Sequence, residues 1–207
     1  MSVVANYICT ACGTQFSDRT DVGNQPPARC PICTDERQYL PRAGQRWTTL
    51  DELGHSHENA FKRLEPGLYG VHSSPAFAID QRALLVRTAQ KPGDAAPYVL
   101  WDCIALLDDA TIDVVRALGG LAAVAISNPH YYTTMVEWAH AFECPIFLHA
   151  YDLAGGMRPD PAIHFWEGES LALNDVGAPE MTLIRCGVHF AGGTVMHWAR
   201  GADVHCA

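Results

Sequence analysis

Two short cysteine pairs near the start of the chain limit its fold more than any other feature. They are "YICTACG", with Cys9 and Cys12, and "ARCPIC", with Cys30 and Cys33, and seventeen residues separate them. A Cys-x-x-Cys turn lets two sulfurs face one ion, and its backbone N–H groups support the thiolates. Gly13 follows the second ligand, where a left-handed backbone is often required. Two such knuckles supply the tetrahedral four-sulfur set that zinc prefers, with iron as the alternative metal. About forty residues cannot fold on an apolar core alone, so bound metal would supply the folding energy. The spacing therefore predicts a structural four-cysteine module over residues 1–42, with no catalytic group of its own.

The whole chain is long enough for such a module and one full-sized domain: 207 residues, 48% of them apolar. Net charge is −9, which argues against a nucleic-acid or anionic-membrane surface. The acidity is uneven. Residues 1–50 carry five Arg against four Asp/Glu, while residues 51–207 carry nine Lys/Arg against nineteen Asp/Glu. No apolar run approaches the ~18 residues of a membrane span. "MSVVANYICT" has no basic start or long apolar stretch, so no signal peptide is expected. A cytoplasmic location follows, with the eight cysteines as thiols or metal ligands rather than disulfides.

Residues 43–66 read as a linker with a short helix capped by Thr48 or Thr49, and with Asp51 and Glu52 in its first turn. Its His55 and His57 read as solvated side chains rather than ligands. Beyond Gly67 the pattern becomes β-rich. "LYGVH", "AFAID", "ALLVRT" and "YVLWDC" read as strands. "DDATIDVVRALGG" reads as a helix begun by Asp108 or Asp109 and stopped by Gly119. "LAAVAI" is a buried strand, and Thr134 with Glu137 suggests a capping box for the helix in "TTMVEWAHAF". "PIFLHA", "ESLAL", "MTLIRC" and "GTVMHWA" follow as strands. The order predicts an α/β layered domain over residues 67–207.

Three segments in order carry a family resemblance: "AFAIDQRALLV" with "YVLWDC", then "AAVAISNPHYYT", then "LIRCGVHFAGGTVMHW". Together they resemble the metallo-β-lactamase fold family, a four-layer αββα sandwich of zinc-dependent hydrolases. The N-terminal pattern similarly resembles zinc ribbons and rubredoxin-like knuckles. The resemblance implies that the family's His-x-His-x-Asp-His turn falls on Asn128, His130, Tyr132 and Thr133, and its later histidine on His189. Of that turn only His130 survives, with Asn128 as a weak carbonyl ligand. The family's next acidic ligand and last histidine have no counterpart before Ala207. The C-terminal part of the sandwich is thus expected to be missing, as in a piece of a longer hydrolase.

Two imidazoles are too few for catalytic zinc, which usually has three protein ligands and a water. His140, His149, His164, His197 and His205 read as core or surface histidines before ligands. Asp102 reads equally as a turn cap or as a group orienting a ligand. Cys103, Cys144, Cys186 and Cys206 are expected as inert buried thiols, and Trp101, Trp138, Trp166 and Trp198 as core. Two functions stay open: a metal-dependent hydrolase with a degenerate site, or a non-catalytic zinc-binding adaptor. Substrate, protein partner and oligomeric state are not legible. On this reading Asn128→His and Tyr132→Asp together should rebuild a ligand set.

Overall fold

A computed structural model describes residues 6–17, 25–34, 44–88, 96–155, 158–187, 189–200 and 203–206. The four-cysteine module contributes a small sheet. Its strands are β1 (Tyr7–Cys9), β2 (Gln15–Phe16) and β3 (Trp47–Thr48), with β1 central and antiparallel to both neighbours. A five-residue helix α1 (Leu50–Gly54) follows, and its start is a complete capping box. The Thr49 hydroxyl accepts from the Glu52 N–H, and the Glu52 carboxylate accepts from the Thr49 N–H.

The stretch expected as a linker then forms β4 (Glu58–Glu65), an edge strand of the largest sheet. Glu58, Lys62, Arg63 and Leu64 are exposed on it. Charge on an outer strand discourages pairing with other chains, and it also hides the strand's period in the sequence. The remaining strands of this sheet are β5 (Leu68–Ser74), β6 (Arg82–Arg87), β7 (Tyr98–Trp101), β8 (Leu121–Ala125), β9 (Ile146–His149) and β10 (Ile163–Trp166). They lie in consecutive order from β10 to β4. From β4 to β7 neighbours are antiparallel, and from β7 to β10 they are parallel. "AFAID" is not a strand. It turns back on itself between β5 and β6, with Ala78 and Asp80 at positive φ.

Helices α2 (Asp109–Leu118) and α3 (Met135–Phe142) cross between parallel strands. Asp108 caps α2 by accepting from the Thr111 N–H at 2.8 Å. The expected capping box on α3 is absent. Thr134 is fully buried, and its hydroxyl instead serves the carbonyls of Ile104 and Ala105 at 3.1 and 2.9 Å. Those buried carbonyls need donors, and Trp138 Nε1 also donates to Ile104 at 3.2 Å. Both helices press on one face of the seven-stranded sheet, through Val115, Met135, Val136 and Trp138 against Leu85, Leu100 and Val124.

The opposite face meets a second, four-stranded sheet: β11 (Ser170–Leu173), β12 (Ala178–Arg185), β13 (Thr194–Arg200) and β14 (Asp203–Cys206), antiparallel in that order. Val86, Val99, Trp101 and Ala125 from the first sheet pack on Met181, Leu183, Met196 and Trp198 from the second. The two clusters define three layers, helix on sheet on sheet. Among the described residues no α-helix joins either core from the outer side of the second sheet. A strand buried on both faces has no polar alternation, which is why "YVLW" and "AAVA" read as continuous apolar runs.

Candidate metal centres

The four cysteine sulfurs lie within 4.8 Å of one another, and all four side chains are buried. Cys9 and Cys33 are 3.7 Å apart and Cys12 and Cys30 are 3.5 Å apart. A tetrahedral site with Zn–S bonds of about 2.3 Å has sulfur–sulfur edges of about 3.8 Å. The cluster fits one tetrahedral metal ion, held by Cys9, Cys12, Cys30 and Cys33. Hydrogen bonding, first from Cys12, holds the Cys9 thiol far below its ordinary range. Phe16, Ile32 and Trp47 pack around the sulfurs.

The second candidate centre lies at the end of β8. Here the backbone leaves the sheet under several constraints. The Asp102 N–H donates to the Ala125 carbonyl, and the Asp102 carboxylate accepts from the Ser127 N–H, both at 2.8 Å. Asp102 takes φ +63 to do this, and Thr133 closes the turn at φ +27. Asn128 folds inward, with Oδ1 accepting from the His130 N–H at 3.1 Å and Nδ2 donating to Ser127 Oγ at 2.8 Å. Pro129–Tyr131 then form a single 3-10 turn.

His189 comes from the turn between β12 and β13, which is bolted to the first. The Thr194 N–H donates to the Ser127 carbonyl at 2.9 Å. The Gly192 N–H donates to the Asp152 carboxylate at 2.8 Å, so close that a Cβ on Gly192 would stand 2.7 Å from it. A side chain at this position would have to displace the Asp152 carboxylate. The result brings the His130 and His189 rings to a centroid distance of 5.5 Å across 58 intervening positions. Two imidazoles sharing one zinc at Zn–N about 2.0–2.1 Å would sit about 5 Å apart. Phe190 stands edge-on to both rings, at 4.9 and 4.6 Å. The rings border a cavity of about 480 Å³ that also touches Asn128, Cys186 and Thr194.

Tyr132 and Thr133, the other two positions that the sequence resemblance singles out, do not converge there. Tyr132 is 2% exposed, and its hydroxyl donates to the Asp152 carbonyl at 3.0 Å. Burial pushes the phenol well above its usual range, so it offers no phenolate. Thr133 is buried as well. Among the described residues the four-cysteine cluster is the one place where three or more His, Cys, Asp or Glu ligand atoms converge.

The remaining histidines are placed elsewhere. His149 is buried, its Nε2 against the Gly168 carbonyl at 3.1 Å and its Nδ1 accepting from the Tyr151 N–H. His140 pairs with Asp160 at 2.9 Å, and His164 lies near Phe147; both border a groove on the far side of β9. His197 is half-buried on β13. His55 and His57 bond locally to Asp51 and Ser56. The side chains of His205 and Cys206 lie outside the described residues. Cys103 and Cys144 are buried, as expected, and desolvation pushes each thiol up to about 12. Cys186 departs from expectation: it is exposed and borders the histidine cavity. Its position next to Gly187 was the signal available.

No family model matches the chain. The uncharacterized protein YmaE of Bacillus subtilis (strain 168) is 45% identical over 199 residues, covering 95% of this chain and 68% of that protein. Among solved structures, the DIM-1 metallo-β-lactamase exposed to ceftazidime superposes with a TM-score of 0.51 at 12% identity. VMB-1 at pH 5.5 superposes with a TM-score of 0.52, also at 12% identity. Each covers 68% of this chain, and this chain spans 65% of each of them. The large domain has the metallo-β-lactamase fold, joined to a small N-terminal four-cysteine cluster.

Proposed function

Because the chain belongs to the family of the Bacillus subtilis protein YmaE and carries the metallo-β-lactamase fold, we propose that it is a metallo-hydrolase-like protein with a reduced active site. It keeps one structural zinc in the four-cysteine module. It keeps a two-histidine remnant, His130 and His189, with Asn128 beside them, that holds a second metal weakly. One observation carries this reading. Tyr132 stands where the fold family places a carboxylate, and it is spent inside the core on the Asp152 carbonyl. Among the described residues no carboxylate lines the cavity to balance a dication or to orient a water. On this view the protein works by binding rather than by turnover, as a zinc-containing adaptor in the cytoplasm, where thiols stay reduced. No helix among the described residues is long and apolar enough to cross a membrane.

A second reading, a working hydrolase, is favoured by the ring spacing of 5.5 Å beside an open cavity. Metal analysis after dialysis separates the two. The first reading expects close to one zinc per chain, held by the four-cysteine module, and no chelator-sensitive hydrolysis of a generic ester. A second zinc retained through dialysis, with ester hydrolysis that chelator abolishes, would overturn it.

A further inference from the structure

The four-cysteine module lies directly behind the His130 turn. Gln81, 6% exposed, donates from one amide nitrogen to two carbonyls: Cys12 at 2.6 Å and His130 at 3.0 Å. One of these residues is a cysteine of the metal cluster, and the other is a histidine of the cavity. A second strap runs alongside. The Gln15 N–H donates to the Thr133 carbonyl at 3.0 Å, and its side chain donates to Glu137 at 3.2 Å. Arg158 joins Gln15 and Glu137 from the outside. Gly13 fits the seam at φ +79, where a Cβ would stand 3.2 Å from Gln81 Nε2 and 3.3 Å from Thr133 Cγ2. The knuckle and the turn are therefore joined at their backbones, directly through Gln15 and by the single buried amide of Gln81.

We propose that the four-cysteine centre positions the His130 turn, with Gln81 as the positioning residue that transmits it. This rests on reading His130 and His189 as a residual metal pair. A knuckle of this size holds its shape only while metal holds its cysteines. Loss of that metal frees the Cys12 carbonyl, Gln81 loses one of its two anchors, and the His130 carbonyl is no longer fixed. The other bonds of the turn hold Ser127, the His130 N–H and Tyr132, while Gln81 holds the His130 carbonyl, next to a Thr133 already strained at φ +27. Coupling of this kind is reciprocal, so a metal on the histidine pair also tightens the four-cysteine centre.

The test uses the full chain with zinc in the four-cysteine module and Co²⁺ as the probe for the histidine pair. Gln81→Met keeps the side-chain length and removes the donor. It should retain one zinc per chain, shift the His130 imidazole NMR signals, and weaken Co²⁺ binding about tenfold. His140, which pairs with Asp160 beyond β9, should keep its signals and serves as the internal control. In the wild type, stripping the four-cysteine zinc should move the His130 signals in the same direction. If Gln81→Met keeps its zinc with unchanged His130 signals and Co²⁺ affinity, the proposal is overturned. If the variant does not fold, the wild-type stripping experiment decides alone, and unchanged His130 signals overturn it. A wild type that binds no Co²⁺ refutes the residual pair itself, while the His130 signals still report whether the two modules are coupled.

Discussion

Asp102 offers the sharpest quantitative test of how this turn is built. It is 7% exposed, and desolvation pushes its carboxyl up to about 7 from an ordinary 3.8, against the opposing hydrogen bond from Ser127. The folded carboxyl therefore keeps its proton to about pH 7, while the unfolded one releases it near 3.8. Between those values the native state binds more protons, so stability falls as pH rises, and the full cost is present above about pH 7. About 3 units at 1.36 kcal/mol each gives about 4 kcal/mol. Asp102→Asn removes that cost, keeps the Oδ1 acceptor for the Ser127 N–H, and tolerates φ +63. The new amide must itself be buried, which costs about 1–3 kcal/mol if it finds no partner. The expected net gain at about pH 8 is about 1–3 kcal/mol, and by about pH 4 it should turn into a loss of about 1–3 kcal/mol, because the amide's burial cost stays when the carboxyl's is gone. Urea unfolding of both proteins across this range, with the four-cysteine centre loaded, measures the difference. A variant less stable than wild type at the alkaline end would refute the account, because it would mean that the ionised carboxylate has a favourable partner, such as a cation in the neighbouring cavity.

Asn128→His should raise zinc affinity at the remnant site, read as a second zinc equivalent by metal analysis. Adding Tyr132→Asp, which the sequence alone recommends, should instead destabilise the fold by about 3–5 kcal/mol in urea titrations, since it exchanges a core phenol for a buried charge. Cys9→Ser should release the structural metal, seen as loss of zinc by metal analysis, and should also perturb the amide signals of Asn128 and residues 130–133. Trp138→Ala should cost about 3–5 kcal/mol, measured by urea unfolding, by removing a fully buried indole and one of the two donors to the Ile104 carbonyl.

Much of the architecture was legible because its causes are local. The Cys-x-x-Cys pairs, the Asp108 cap and the apolar runs of β7 and β8 each state their structure within a few residues. The approach of His130 to His189 was legible through the order of segments, although the turns that enforce it, at Asp152 and Thr194, were not. The failures share a different origin. The strand at Glu58–Glu65 was hidden because an outer strand is written in charges. Thr134 has the spacing of a capping box, but the Ile104 and Ala105 carbonyls, some thirty positions earlier, claim its hydroxyl. Gln81 is the extreme case. Nothing in "AFAIDQRALLV" distinguishes it from a solvated glutamine, because its two partners stand 69 and 49 positions away. A polar side chain gains such a role only when topology brings two unsatisfied carbonyls to one point, and a buried carbonyl without a donor is costly. The four-cysteine knuckle and the histidine turn present one carbonyl each at that seam. The residue that joins them is therefore fixed by the docking of the two modules, and the same docking makes the metal of one a condition on the geometry of the other.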